Sequence, residues 1–354
     1  MSIKEKISRI PLWGRIAICI VLILCVCVVG IYAFINSKLN KIKKIDDMAM
    51  VTISPENEVF ETDVVIDETS DMQNTMNPED VIWSNADINV MNDKDVKNIL
   101  FIGHDARPGE VNSRADSIII CSINTRTDEI TLVSLMRDMY LPIPGYSDNR
   151  INAAYQFGGF ELLDATIEQD FGVHIDGNVI VDFQSFIEAM AIVGNLDIEL
   201  TSAEASYLNR NAENFAKDAG YEPQVWNLKE GMNSLTPEQS LAYARIRHIG
   251  NADYERTERQ RIVLRTAFDK MDELSLNDLV DAADEIFPCL YTDMSSNEML
   301  GFIYTVVTDN IKIGNDYRIP VDHSYTSETI RGMSVLVPNL KSNSDALQDY
   351  LTGN

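Results

Sequence analysis

The sequence predicts an α/β protein, a central twisted mixed β-sheet flanked by helices behind one N-terminal transmembrane helix. Three observations carry this. Ile16 to Ile35 is a twenty-residue run without a charged side chain. At about 1.5 Å per residue it spans roughly the 30 Å of a bilayer's hydrocarbon core. Short β-rich apolar runs then alternate with segments of helical spacing over residues 96–340, a length that suits one sheet-based domain. No internal repeat breaks that span.

The elements follow in chain order. Residues 1–15 form a cytoplasmic tail, and Trp13 and Tyr32 bracket the apolar run where aromatics favour the membrane interface. The run ends in Asn36, Ser37 and the lysines 38, 41, 43 and 44. A cleaved leader would have a shorter apolar core and a small-residue cleavage site there, so an uncleaved anchor over 16–35 is expected. Basic residues flank both ends, which leaves orientation undecided by charge. A short tail ahead of a large C-terminal domain places that domain outside the cell, on a single-pass protein of the cell membrane. Residues 36–95 are acidic and poor in aromatics and read as a stalk or spacer, with local structure around Val81–Val90.

Asn98–Gly103, Ser117–Asn124 and Ile130–Leu135 read as strands, the last two joined by a hairpin-length loop, residues 125–129. Phe160–Phe171 and Asp182–Val193 have helical spacing. Val179–Val181 between them, and Asp197–Leu200 after them, read as strands. Thr236-Pro237-Glu238-Gln239 starts a helix: threonine caps, proline takes the first helical position, and glutamine reaches back. A longer helix runs over Asp253–Met271, and residues 341–354 read as a C-terminal tail.

The chain carries a formal charge of -26. Beyond residue 35 lie 54 of its 55 acidic side chains and 25 of its 29 basic ones. That balance excludes a nucleic-acid partner, whose phosphates demand a basic face. Three of five cysteines lie in the apolar run. Cys121 and Cys289 have no zinc-ligand spacing and are expected as buried free thiols.

Against this acidity the arginines are clustered. Nine of sixteen are Arg107, Arg114, Arg137, Arg150, Arg245, Arg247, Arg256, Arg259 and Arg261. Guanidinium is the group best matched to phosphate, because its planar fork donates two parallel hydrogen bonds. Asp105, Asp116 and Asp138 are interleaved with them, carboxylates of the kind that hold a hard divalent cation. The set points to a phosphate or pyrophosphate bound with magnesium or manganese. Asp105 and Asp116 stand at the ends of neighbouring strands, where α/β proteins build sites. Arg256, Arg259 and Gln260 share one helix face in a first turn that disfavours cations unless an anion is bound. His104 and His248 adjoin these motifs as polar neighbours. Phe160, Leu162, Leu163, Phe183, Phe186, Ile187 and Met190 offer apolar helical faces to a lipid, most of them equally suited to ordinary core. No G-x-S-x-G elbow, P-loop or H-E-x-x-H is present.

Taken together, the apolar run, Gly-His-Asp105-Ala-Arg107, Arg114-Ala-Asp116, Ser-x-x-Arg137-Asp138, Ile151-Asn152-Ala-Ala-Tyr155 followed by Gly158-Gly159, Leu241-Ala-Tyr-Ala-Arg245-Ile-Arg247-His248 and Arg256-x-x-Arg259-Gln260 resemble the LytR–CpsA–Psr family over roughly residues 95–340. The resemblance implies a membrane-anchored phosphotransferase that moves a glycopolymer from a polyprenyl-pyrophosphate carrier onto peptidoglycan, assisted by magnesium. It implies Asp105 and Asp116 near the metal, and Arg114 and Arg137 at the reacting phosphate. Arg107, Arg245, Arg247, Arg256, Arg259, Gln260 and Asn152 would bind the substrate. Met136 stands where the family has proline, Asn195 replaces a glycine, and Tyr254-Glu255 replaces phenylalanine-glycine. A binding-only envelope sensor and a polyprenyl-pyrophosphate hydrolase are the alternative readings.

Overall fold

The computed structural model describes residues 37, 39–44, 52–58, 60, 76–83, 88–104, 114–250, 253–275, 278, 281, 282, 285–309 and 311–353. The expected anchor over 16–35 lies outside them. Among the described residues no helix is long and apolar enough to cross a membrane.

The strands are β1 (Lys43–Lys44), β2 (Val96–His104), β3 (Ala115–Asn124), β4 (Glu129–Leu135), β5 (Tyr140–Leu141), β6 (Asn149–Arg150), β7 (Gly177–Asp182), β8 (Leu196–Leu200), β9 (Gly231–Leu235), β10 (Tyr291–Thr292), β11 (Lys312–Ile319), β12 (Tyr325–Ile330) and β13 (Met333–Pro338). The helices are α1 (Ile151–Phe171), α2 (Phe183–Val193), α3 (Ser202–Ala219), α4 (Pro237–Ala244), α5 (Asp253–Asp272), α6 (Ser296–Thr308) and α7 (Leu340–Thr352).

Seven strands form the central sheet in the order β1-β10-β7-β2-β3-β4-β11. It is mixed: β2 runs antiparallel to β3 and parallel to β7, and β11 runs parallel to β4. The expected hairpin joins β3 to β4 with Ile123 opposite Ile130. The predicted strand at 197–200 forms, but pairs antiparallel with β9, beyond α3 in the chain, in a separate two-stranded sheet.

Apolar runs rather than alternation mark β2, β3 and β4 because both faces of these strands are covered. Leu100, Ile102, Ile118, Ile120 and Val133 point into a core capped by α1 and α7. Ile99, Ile119, Cys121 and Leu132 point the other way, onto Leu39, Ile42, Met294 and Met299. A third cluster joins β8 and β9 to α3, α4 and α5. Local signals start the helices where the sequence places them. Asp182 accepts from Ser185 N, and Thr236 with Gln239 forms a reciprocal capping box. Helix α1 begins at Ile151, ahead of the predicted Phe160, and kinks at Gly158 and Gly159. Gly159 has φ 64°, a conformation that glycine adopts without a Cβ penalty.

Two boundaries need correction. Residues 341–354 are not a tail. They lie mostly in α7, whose Leu347 and Leu351 are buried in the main core. Nor are residues 36–95 simply a spacer. Ile53, Trp83, Ile88 and Met91 pack against that core, and Lys43–Lys44 adds an edge strand to the sheet. The acidic composition hides a few apolar residues at tertiary contact points. Cys121 and Cys289 are free and buried, as expected.

Candidate phosphate site and its apolar cavity

Asp116 stands at the centre of the site because a β-bulge puts it there. Gly103 pairs with Ser117 and His104 with Ala115, which leaves Asp116 without a ladder partner. Such an extra residue re-aims a side chain at a sheet edge. Asp116 Oδ1 accepts hydrogen bonds from Arg137 Nη1 at 2.5 Å and Arg247 Nη2 at 3.1 Å. Burial alone would raise its pKa. Arg137, Arg247 and Arg256 overcome that and hold the carboxyl below its usual range.

Arg256 sits in the first turn of α5, 2% exposed. Its Nη2 meets Asp253 Oδ1 at 2.8 Å, while Nε and Nη1 have no hydrogen-bond partner. Burial, reinforced by Arg137 and Arg247, pushes its pKa down to about 10. The group stays protonated at neutral pH, so the shift registers surplus positive potential. Buried donors without a partner are costly, and an anionic ligand removes that cost.

Arg245 and Arg247 both reach the site, although the segment is not extended at Arg245, which has φ -101° and ψ 0°. Arg245 caps the C-terminus of α4, and its guanidinium lies 4.1 Å from the centroid of the Phe183 ring. Its Nη1 is buried without a hydrogen-bond partner. Arg114 Nε donates to Gln156 Oε1 at 2.9 Å. Burial, with Arg150 and Arg137 nearby, lowers its pKa. Asn152, 1% exposed on the first turn of α1, has no hydrogen bond to either amide atom.

Spacing alone did not reveal the partner of Asp138. Its carboxyl hydrogen-bonds Asp253 and lies 3.7 Å from Arg137 Nε and 3.5 Å from Arg150 Nε. Burial first, then the charge of Asp253, raises Asp138 against the pull of Arg137 and Arg150. Burial opposes ionisation of Asp253 as well, but Arg256 and Arg137 hold it low. Of the two carboxyls, Asp138 is pushed toward its protonated form and Asp253 toward its charged one.

Arg259 does not join the site. Its guanidinium is spent on Glu204 at 2.7 Å, Glu255 at 2.6 Å and the Ile246 carbonyl at 3.3 Å. Glu255, where the family pattern has glycine, is thereby paired with Arg259. Arg261 is likewise turned away, onto Asp316 and Ser134.

Beside the arginines lies a cavity of about 370 Å³. Asp116, Arg245, Arg247, His248, Arg256 and Gln260 line its polar side, and Phe101, Ile119, Val181, Phe183, Phe186 and Leu264 its apolar side. Of the seven apolar candidates only Phe183 and Phe186 line it. Phe160 and Leu163 are buried in the core of the opposite sheet face, with Leu162 packed against it, and Met190 packs in the third cluster. Phe101, Tyr207 and Phe215 also line the cavity and were not anticipated. The even apolar run of β2 gave no sign that Phe101 faces a void.

Asp105 and Arg107 lie outside the described residues. Among the described residues no three His, Cys, Asp or Glu side chains form a metal-binding group. Asp116 suits one position of a magnesium site, because the bonds from Arg137 and Arg247 both fall on Oδ1.

The LytR_cpsA_psr family profile matches residues 55–349. Regulatory protein MsrR of Staphylococcus aureus is 30% identical over 258 residues, covering 72% of this chain and 73% of that protein. The polyisoprenyl-teichoic acid–peptidoglycan teichoic acid transferase TagU of Enterococcus faecalis is 33% identical over 232 residues, covering 64% and 68%. The structure of YwtF (TagT) of Bacillus subtilis with bound octaprenyl pyrophosphate lipid superposes with a TM-score of 0.53 at 20% identity, covering 73% and 91%. The chain belongs to the LytR_cpsA_psr family.

Proposed function

We propose that this family member is a membrane-anchored phosphotransferase that moves a glycopolymer from a polyprenyl-pyrophosphate carrier onto peptidoglycan, outside the cell. One observation carries the reading. Arg256, with two unspent buried donors, lines a cavity that Phe101, Phe183 and Phe186 also line. A ligand that satisfies both kinds of lining is an anion with a long hydrocarbon tail. The transferase name of the Enterococcus relative and the lipid bound to YwtF support it.

In this mechanism the tail lies along Phe101, Phe183 and Phe186, while Arg137, Arg245, Arg247 and Arg256 hold the pyrophosphate. A sugar hydroxyl attacks the glycan-bearing phosphorus, and polyprenyl phosphate leaves. Negative charge grows on the phosphoryl oxygens, where arginines already in position need no reorganisation. Asp116 or Asp253, both ionised, takes the hydroxyl proton. Magnesium held by Asp116 and Asp105 would supply further charge neutralisation on the pyrophosphate.

The test incubates the purified protein with lipid-linked glycan, magnesium and peptidoglycan oligomers, and looks for the joined product. The regulatory name of MsrR favours a binding-only alternative, which predicts tight donor binding and no product. Protease added to wall-stripped cells should remove the domain; a protected domain would overturn the extracellular placement.

A further inference from the structure

Helix α6 carries apolar side chains on the face turned away from the core. Its inner residues Met299, Leu300, Phe302 and Val306 pack with Leu39 and Ile42. Its outer face presents Ile303, 39% exposed, and Tyr304, 70% exposed. The position of α6 says what covers them. Ser37 and Leu39 are helical, Leu39 is fully buried, and Ser296 Oγ donates to Asn40 Oδ1 at 2.9 Å. The first turn of α6 therefore touches the chain five residues after the uncharged run Ile16–Ile35 ends. Lys41 and Lys43 are exposed alongside, and Lys43 Nζ lies 4.8 Å from the ring centroid of Tyr291. Tyrosine and lysine, each an apolar body with a polar tip, are side chains suited to the headgroup level of a bilayer.

We propose that α6, with Lys41 and Lys43, rests on the bilayer surface and brings the apolar side of the cavity to the lipid. The inference rests on the anchor reading of residues 16–35. Phe101, Val181 and Leu264 belong both to the cavity lining and to the cluster that buries Leu39 and Ile42. The membrane-proximal segment and the apolar side of the cavity thus share one sheet face, the side from which a polyprenyl chain would leave the bilayer. Insertion of apolar side chains, rather than charge, drives the contact, because the protein is acidic overall. Glu298, the acidic residue in the first turn of α6, is engaged by the Ser295 amide and hydroxyl.

The full chain is reconstituted in phosphatidylcholine vesicles containing a diazirine-bearing phosphatidylcholine, irradiated and mapped by mass spectrometry. Lipid adducts are expected on 16–35 and on 296–308, and not on α7, across the sheet. Adducts on 16–35 with none on 296–308 would overturn the docking and leave the anchor standing. Absence of adducts on 16–35 would overturn the anchor and the docking with it. A second measurement uses the double substitution Ile303→Ser, Tyr304→Ser, which touches no catalytic group. Transfer from a long-chain donor in vesicles should fall roughly threefold to tenfold, with a short water-soluble donor unaffected. An unchanged long-chain rate, or equal losses with both donors, would count against the surface.

Discussion

Arg256 and Arg259 lie one turn apart on α5, both almost wholly buried, and their surroundings differ in kind. Arg259 is matched on two sides by Glu204 and Glu255 and on a third by a carbonyl. Arg256 touches one carboxylate, Asp253, keeps two unspent donors, and has Arg137, Arg247 and Asp116 within electrostatic reach. Burial alone does not separate a structural arginine from a ligand-binding one. The balance of charge around it does.

The largest expected effect breaks the matched member of the pair. Arg259→Ala leaves Glu204, 6% exposed, without its cation, and should cost about 3–5 kcal/mol of unfolding free energy, read by denaturant titration. A loss below about 1 kcal/mol would show that the pair is not the buttress it looks like. Arg256→Met should differ. Stability should fall less than in Arg259→Ala, because one contacting carboxylate, Asp253, loses its cation rather than two, while transfer falls about a hundredfold to a thousandfold. Normal transfer by this variant would remove Arg256 from the site and the contrast with it.

Asp116→Asn sharpens the comparison from the anionic side. The arginines should still bind the polyprenyl pyrophosphate, while turnover falls by about a hundredfold. A side-by-side binding titration and transfer assay, with and without chelator, measures both. Turnover indifferent to chelator and to the substitution would leave the arginines as the whole apparatus.

The smallest effect is on acid stability. Burial would raise the Glu204 carboxyl, but bonds from Arg259 and from the Thr201 amide and hydroxyl outweigh it and hold the pKa below its ordinary 4.5. A depressed folded pKa gives stability that is complete above the unfolded value and lost as pH falls through the folded one. The pair's contribution should thus disappear only below about pH 4.5, and the Arg259→Ala variant should show a shallower acid-unfolding slope. Equal slopes would place the acid-sensitive group elsewhere.

Much of this site was legible in the sequence. The strand-end positions of Asp116 and Arg137 and the capping box at Thr236 follow from local pattern, because short-range hydrogen bonds and strand geometry decide them. The same logic grouped Arg259 with Arg256, since i and i+3 share a helix face. It missed that Glu204 arrives from α3, 55 residues away, and that Asp253, at the start of α5, hydrogen-bonds Asp138, which follows β4.

By itself, then, the sequence determined the α/β class, the order of the sheet-forming runs, the arginine motifs and the family they resemble. These rest on residue identity and on spacings shorter than one element. Only the tertiary structure decided which buried arginines keep free donors, which phenylalanines face the cavity, and that residues 341–352 close the core. Each of these depends on which side chains meet across elements distant in sequence, and the net charge and void at a point in space are sums over those meetings.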